Sequence, residues 1–273
     1  MKEREILAPD KKNIQDTINF KHGANIGDLI YSLPAIRNVC RKYGKKARIC
    51  TAFNLTGVYQ NKHPLGNRLF TPEMFNVAAP LIEALDFVES FEHWENQCEI
   101  HFNLDEIRDH CDALGMPHTE IRQWVMMLFP ELSGNISEPW IPKNKSNPTI
   151  PPYIALNLTQ RYRNPNINYR FLQDVPVPVV FLGTSDEHDL IIKQVRKAQY
   201  LKTKNYAEVA GVIGGSKLFI GNQSSCFAVA EGMSHPRLLE VCKEATNVVP
   251  ATPNGIPFVD QKALEYLVNE AIK

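Results

Sequence analysis

Residues 16–44, DTINFKHGANIGDLIYSLPAIRNVCRKYG, carry the reading on which the fold turns. Asp16 to Lys21 reads as a short strand, the stretch from His22 as a glycine-containing turn, and the remainder as a helix. Ile26, Leu29, Ile30, Leu33, Ile36 and Val39 recur at three- and four-residue steps, the spacing of a single helix face. Pro34 falls inside that pattern and is expected to kink the helix or begin a new one, because its ring removes a donor and crowds the preceding turn. Gly44 closes the helix, and residues 47–52 (ARICTA) read as the next strand, which completes a βαβ unit.

The same alternation continues outward. Thr56 to Arg68 reads as loop, and Thr71 to Leu85 as a helix with Thr71 as its cap and Pro72 in its first turn. Short strands are expected at 87–91 and 99–104, then a helix from His118 to Leu132 in which Arg122, Trp124 and Met127 cannot all face the core. Pro139, Pro142, Pro148, Pro151 and Pro152, with polar residues between them, mark a boundary, so the expected domains are 1–147 and 148–273. The second domain restarts with strands at 153–158 and 177–183. A helix follows, capped by Ser185 and acidic in its first turn, where the helix dipole favours carboxylates. A helix at 206–214, a strand at 217–221, a helix at 224–233 and a strand at 238–242 complete the pattern. A terminal helix at 260–272 can pack back on the first domain. Strands alternating with helices imply mostly parallel sheets, here as two Rossmann-like α/β domains facing a cleft.

Composition narrows the function. Lys+Arg and Asp+Glu balance at 30 each, which excludes a strongly basic surface built for nonspecific duplex binding. The opening MKEREILAPDKK has no apolar signal region, and no apolar run approaches the roughly 20 residues a membrane helix needs. A cytoplasmic location without a transmembrane segment is therefore expected. Cys40, Cys50, Cys98, Cys111, Cys226 and Cys242 show no paired spacing and read as small buried hydrophobes. His101, His110 and His118 form no i,i+4 pair, so no metal site is expected, and neither a P-loop nor a G-x-S-x-G elbow is present. The basic run from Arg41 to Arg48 reads as a solvated helix end.

Two strand-to-helix turns have the residues for chemistry. In the first, Gly23, Asn25 and Gly27 permit close backbone approach, and Asp28 lies at the helix start. A carboxylate there can take the proton of an attacking hydroxyl, or it can merely cap the helix. In the second, Gly221 and Gln223 precede Ser224 and Ser225, whose hydroxyls and backbone N–H groups suit an anion such as a pyrophosphate; the competing reading of Ser224 is an ordinary N-cap. Glu231, within the helix that follows, requires a partner: a ribose hydroxyl or a buried arginine. In RYRNPNINYR at 161–170, Arg161 and Arg163 alternate with Tyr162, a pattern that grips phosphates and stacks bases. Donor binding is favoured there over a nucleic-acid acceptor; the plain alternative is a polar loop.

GDLIYSLPAIR at 27–37 resembles the G-D-h-h-x-x-L-P-A-h-R segment (h apolar) of the heptosyltransferase-like glycosyltransferases of lipopolysaccharide synthesis, glycosyltransferase family 9, which have the GT-B fold. FIGNQSSCFAVA at 219–230 is similar to their F-I-G-N-D-S-G-P-x-H-L-A segment. YIALN at 153–157 and VVFLGTSDE at 179–187 are similar to the strands that open their nucleotide-binding domain. The resemblance implies that Asp28 is the catalytic base, that Ser224 and Ser225 contact phosphate, and that Arg161 or Arg163 holds the diphosphate. It implies sugar transfer from a nucleotide-sugar to a glycan, lipid-linked or other hydroxyl acceptor, without metal or cofactor. The chain departs from the pattern with Gln223 for Asp, Ser225 for Gly, Cys226 for Pro and Ala228 for His. Loss of an acidic and an imidazole contact keeps two alternatives open: a non-catalytic nucleotide-binding or scaffold protein, and a nucleotide-sugar epimerase.

Overall fold

A computed structural model of the chain describes residues 16–56, 68–107, 120–143 and 151–273. Most of the loop expected between Thr56 and Arg68, the start of the helix expected at His118, and His110 and Cys111 lie outside the described residues. Packing divides the chain into two compact units, Met1–Ile136 and Ser137–Lys273.

In the first unit, β1 (Thr17–Lys21) leads into α1 (Ile26–Tyr43), which returns the chain to β2 (Lys46–Thr51). A short antiparallel pair, β3 (Leu55–Thr56) with β4 (Arg68–Leu69), precedes α2 (Pro72–Ile82), β5 (Val88–His93), β6 (Phe102–Asn103) and α3 (Ile121–Leu128). The main sheet has the order β5-β2-β1-β6, every pair parallel. All six residues of the predicted α1 face are buried, and so are Tyr31, Ser32 and Arg37 on other sides of the helix. Pro34 lies inside one continuous helix and begins no new one. The predicted stop is met by Gly44, whose φ of 61° lies in the left-handed region that favours glycine. The helix expected to run to Leu132 ends at Leu128 and is followed by a 3₁₀ turn at Pro130–Leu132. Pro130 disfavours helical geometry in Phe129, which sits at φ −128° and ψ 85°.

The second unit contains β7 (Ile154–Asn157), a 3₁₀ turn at Arg170–Gln173, β8 (Val179–Phe181), α4 (Ser185–Ile191) and β9 (Ala198–Tyr200). It continues with α5 (Tyr206–Gly215), β10 (Leu218–Asn222), α6 (Ser225–Gly232), β11 (Arg237–Glu240), β12 (Gly255–Phe258) and α7 (Gln261–Ile272). Its six strands are parallel in the order β12-β11-β10-β7-β8-β9, the doubly wound arrangement of a Rossmann sheet. The α4 cap is Thr184, not Ser185: the Thr184 hydroxyl accepts from Glu187 N, and Glu187 Oε2 accepts from Thr184 N. Leu264 and Val268 of the terminal helix are buried in the core of this same unit, beside Ile154, Ile220 and Leu238. No helix among the described residues is long and apolar enough to cross a membrane.

Candidate functional site

Each of the two parallel sheets has one place where the strand order reverses direction, and ligands of open parallel sheets collect there, at the carboxyl ends of the strands. In the first unit the reversal falls between β1 and β6. In the second it falls between β7 and β10. Both candidate turns of the sequence lie at these two positions.

At the end of β1, His22 N donates to Cys50 O of β2 (2.9 Å) and Gly23 N donates to the Asp105 carboxylate just beyond β6. A Cβ on Gly23 would stand 2.6 Å from Leu55 Cδ1, the end of an exposed flexible side chain, and 3.2 Å from Asp105 Oδ1, so a larger residue here requires Leu55 to move. Asn25 caps α1 in extended geometry, Gly27 lies in the first turn, and Asp28 is the third helical residue. Asp28 Oδ2 accepts from Asn25 N at 3.4 Å. The same side chain lines a small pocket with His22, Ser32, Asp105 and Trp124. Asp28 thus meets the capping reading of the sequence, and its side chain also lines the pocket.

At the second reversal, two fully buried asparagines organise the loops. Asn222, the last residue of β10, accepts from Thr159 N (3.0 Å) and donates to Thr159 O (3.0 Å) and Arg161 O (2.5 Å). Asn157, the last residue of β7, donates to Leu182 O (2.7 Å) and accepts from the Ser224 hydroxyl (2.6 Å). Each strand end thus holds the loop of its neighbour. Gly221 leaves room for the Phe219 ring of its own strand: a Cβ there would lie 2.8 Å from that ring and 3.2 Å from Asn157 O.

Ser224 is the N-cap of α6, its hydroxyl accepting from Phe227 N at 3.1 Å. Ser225 Oγ lies 2.5 Å from the Tyr206 hydroxyl, and Gln223 Nε2 donates to Asn247 Oδ1 at 2.6 Å. Burial, reinforced by the Glu187 charge, pushes the Cys226 thiol up to about 12, so this cysteine stays protonated at neutral pH. The two arginines separate clearly. Arg163 Nε donates to the buried Glu240 carboxylate (2.9 Å), which also accepts from Asn164 N and from the Tyr169 hydroxyl (2.5 Å). Burial first, then the Glu240 charge, holds the Tyr169 phenol well above its usual range. Arg161 instead lies over the Tyr162 ring at 5.2 Å and has no carboxylate partner among the described residues.

Glu231 does not join these residues. It is fully buried, ion-paired with the equally buried Arg237, and its Oε1 accepts from Ala251 N and Thr252 N at 2.9 Å each. Of the two partners that the sequence allowed it, the structure has the arginine. Asn157, Asn222 and Asp105 carry no role in the sequence reading. The first two end apolar strand runs, a place where a buried amide needs partners, and that was their visible signal. Asp105 had none. Among the described residues no cluster of three or more His, Cys, Asp or Glu side chains could hold a metal ion.

No protein-family model and no curated protein matches the sequence. Solved structures do match the fold. The heptosyltransferase WaaC of E. coli, solved with ADP, superposes with a TM-score of 0.59 at 11% identity, over 93% of this chain and 99% of WaaC. The ADP-heptose LPS heptosyltransferase II of E. coli gives 0.60 at 12% identity, over 94% and 98% of the two chains. The chain has the GT-B fold of the heptosyltransferases. A glycosyltransferase family 9 protein from Veillonella parvula shares it with a TM-score of 0.52 at 12% identity, over 94% of this chain and 89% of that one. In this heptosyltransferase-like fold the two turns fall at the two sheet reversals, although identity stays near one residue in nine.

Proposed function

We propose that the protein is a metal-independent glycosyltransferase that takes a nucleotide-sugar donor on its second unit and transfers the sugar to a hydroxyl acceptor. The observation that carries this reading is the chemistry of the two sheet reversals: a carboxylate, Asp28, lines a pocket at one, and a capped helix start with Arg161 forms the other. At the second, N–H groups of the first turn of α6 and the Arg161 guanidinium meet the donor diphosphate. At the first, Asp28 accepts the proton of the acceptor hydroxyl. The acceptor oxygen bonds to the anomeric carbon as the bond from that carbon to the diphosphate oxygen breaks. The electron pair departs on the nucleoside diphosphate, and the proton ends on Asp28. Arg163 serves the fold by neutralising Glu240 rather than the diphosphate.

A second reading, a nucleotide-binding protein without transferase activity, is favoured by Ala228 and by the Gln223 amide engaged with Asn247, where the family pattern has His and Asp. One experiment opens the distinction. Melting is followed against ADP, UDP, GDP, CDP, dTDP and their sugar conjugates, with ADP first because WaaC was solved with it. A rise with one nucleotide, and liberation of that nucleoside diphosphate from its sugar conjugate when an acceptor is added, supports the transferase. A rise without release under any acceptor supports the second reading, and no rise with any nucleotide overturns both.

A further inference from the structure

The β1–α1 turn is held from outside itself. Its backbone N–H groups at His22 and Gly23 are taken by neighbouring elements on opposite sides: Cys50 O on β2, and the Asp105 carboxylate beyond β6. Asp105 is brought there by strand pairing. Phe20 and Lys21 of β1 align with Phe102 and Asn103 of β6, and Leu104 N donates to Lys21 O at 2.8 Å. Its second oxygen faces Lys21 Nζ at 3.3 Å, so the charge is balanced next to the turn. Asp105 and Asp28 then line one pocket from the two sides of the sheet reversal.

We infer that Asp105 is a positioning residue: by fixing the Gly23 amide it sets where Asp28 stands against the acceptor hydroxyl. The inference rests on the proposed transferase reading. The required property is an acceptor oxygen at this point, and the negative charge is secondary because Lys21 already offsets it. An amide can therefore replace the carboxylate, whereas a methyl group cannot. Nucleotide binding, a property of the second unit, lies outside this effect.

The test compares wild type, Asp105→Asn and Asp105→Ala in the transfer assay, with the ADP affinity of each measured by calorimetry. In Asp105→Ala, kcat is expected to fall by about 100-fold, the scale of a displaced catalytic group, with the donor KM and ADP affinity unchanged. Asp105→Asn is expected to keep most of the wild-type rate. Equal loss in both variants would overturn the positioning role in favour of the charge, and wild-type turnover in Asp105→Ala would overturn it outright. Should Asp105→Ala fail to fold, the wild type supplies a separate measurement. The Gly23 amide proton, followed by NMR hydrogen exchange, is expected to be protected although it belongs to a turn. Exchange at the rate of an open loop would remove the tether. Absence of transfer by the wild type would defeat the transferase reading instead, and amide protection reads the tether independently of it.

Discussion

The β1–α1 turn and the β10–α6 turn occupy equivalent places in their sheets, yet they are built from opposite chemistry. The first gathers two carboxylates, Asp28 and Asp105, around a glycine whose N–H is already used. The second is made of neutral amides and hydroxyls, with Arg161 at its margin. Carboxylates repel a diphosphate and a guanidinium attracts one, so the two turns suit opposite partners. In the proposed mechanism two copies of one strand–turn–helix device serve as a proton acceptor and an anion holder, and the difference lies in a few side chains at the ends of the central strands.

The strongest way to break the comparison is to alter one turn and read the function of the other. Asp28→Ala is expected to lower transfer roughly 10³-fold, within the usual range for a general base, and to leave nucleotide affinity unchanged in calorimetry. Arg161→Ala is expected to do the reverse, weakening nucleotide binding about tenfold. If Asp28→Ala weakened nucleotide binding instead, the division of labour would be wrong.

Glu231→Ala comes next. Removing one partner of the buried pair leaves Arg237 charged and uncompensated, which costs about 4 kcal/mol in urea unfolding. A small stability effect combined with lost nucleotide affinity would return Glu231 to the donor site. Acid sets a further contrast. Burial, and next the charges of Lys143 and Arg237, push the His235 imidazole of the second unit from 6.5 down to about 4. As pH falls from 6.5 towards 4, the unfolded chain takes the proton first, so stability declines by about 3 kcal/mol over that window and is untouched above it. His235→Gln is expected to flatten that part of the urea profile, and an unchanged slope would refute the assignment. The smallest effect is at Ser224: replacing this N-cap by alanine costs about 1 kcal/mol and removes the bond to Asn157. If stability stays constant but nucleotide affinity drops, the hydroxyl belongs to the ligand more than to the helix.

Much of this was legible in the sequence where the signal is local. The α1 face, the Gly44 stop and the Thr71 and Ser224 caps depend on residues within a turn of each other, and they stand where the pattern puts them. At Thr184 and Ser185 two good capping residues are adjacent, and local chemistry alone does not choose between them. β9 and β12 were missed because a short edge strand has no apolar alternation to show: two of the three residues of β9 are exposed, and β12 contains Pro257, which an edge tolerates.

The sequence by itself determined the α/β alternation, the strand-to-helix turns and the residue types in them, because periodicity and capping act over one or two helical turns. Tertiary structure alone decided which strands lie together, and with them the partners of these turns. Gly23 and Asp105 stand 82 residues apart, Asn222 and Thr159 63 apart, and both contacts exist only because β1 pairs with β6 and β10 with β7. Glu231 lies only six residues from Arg237, but their meeting required α6 and β11 to fold against each other. A carboxylate in a sequence is a charge in search of a partner, and the sheet order settles whether that partner is a backbone amide, an arginine or a substrate.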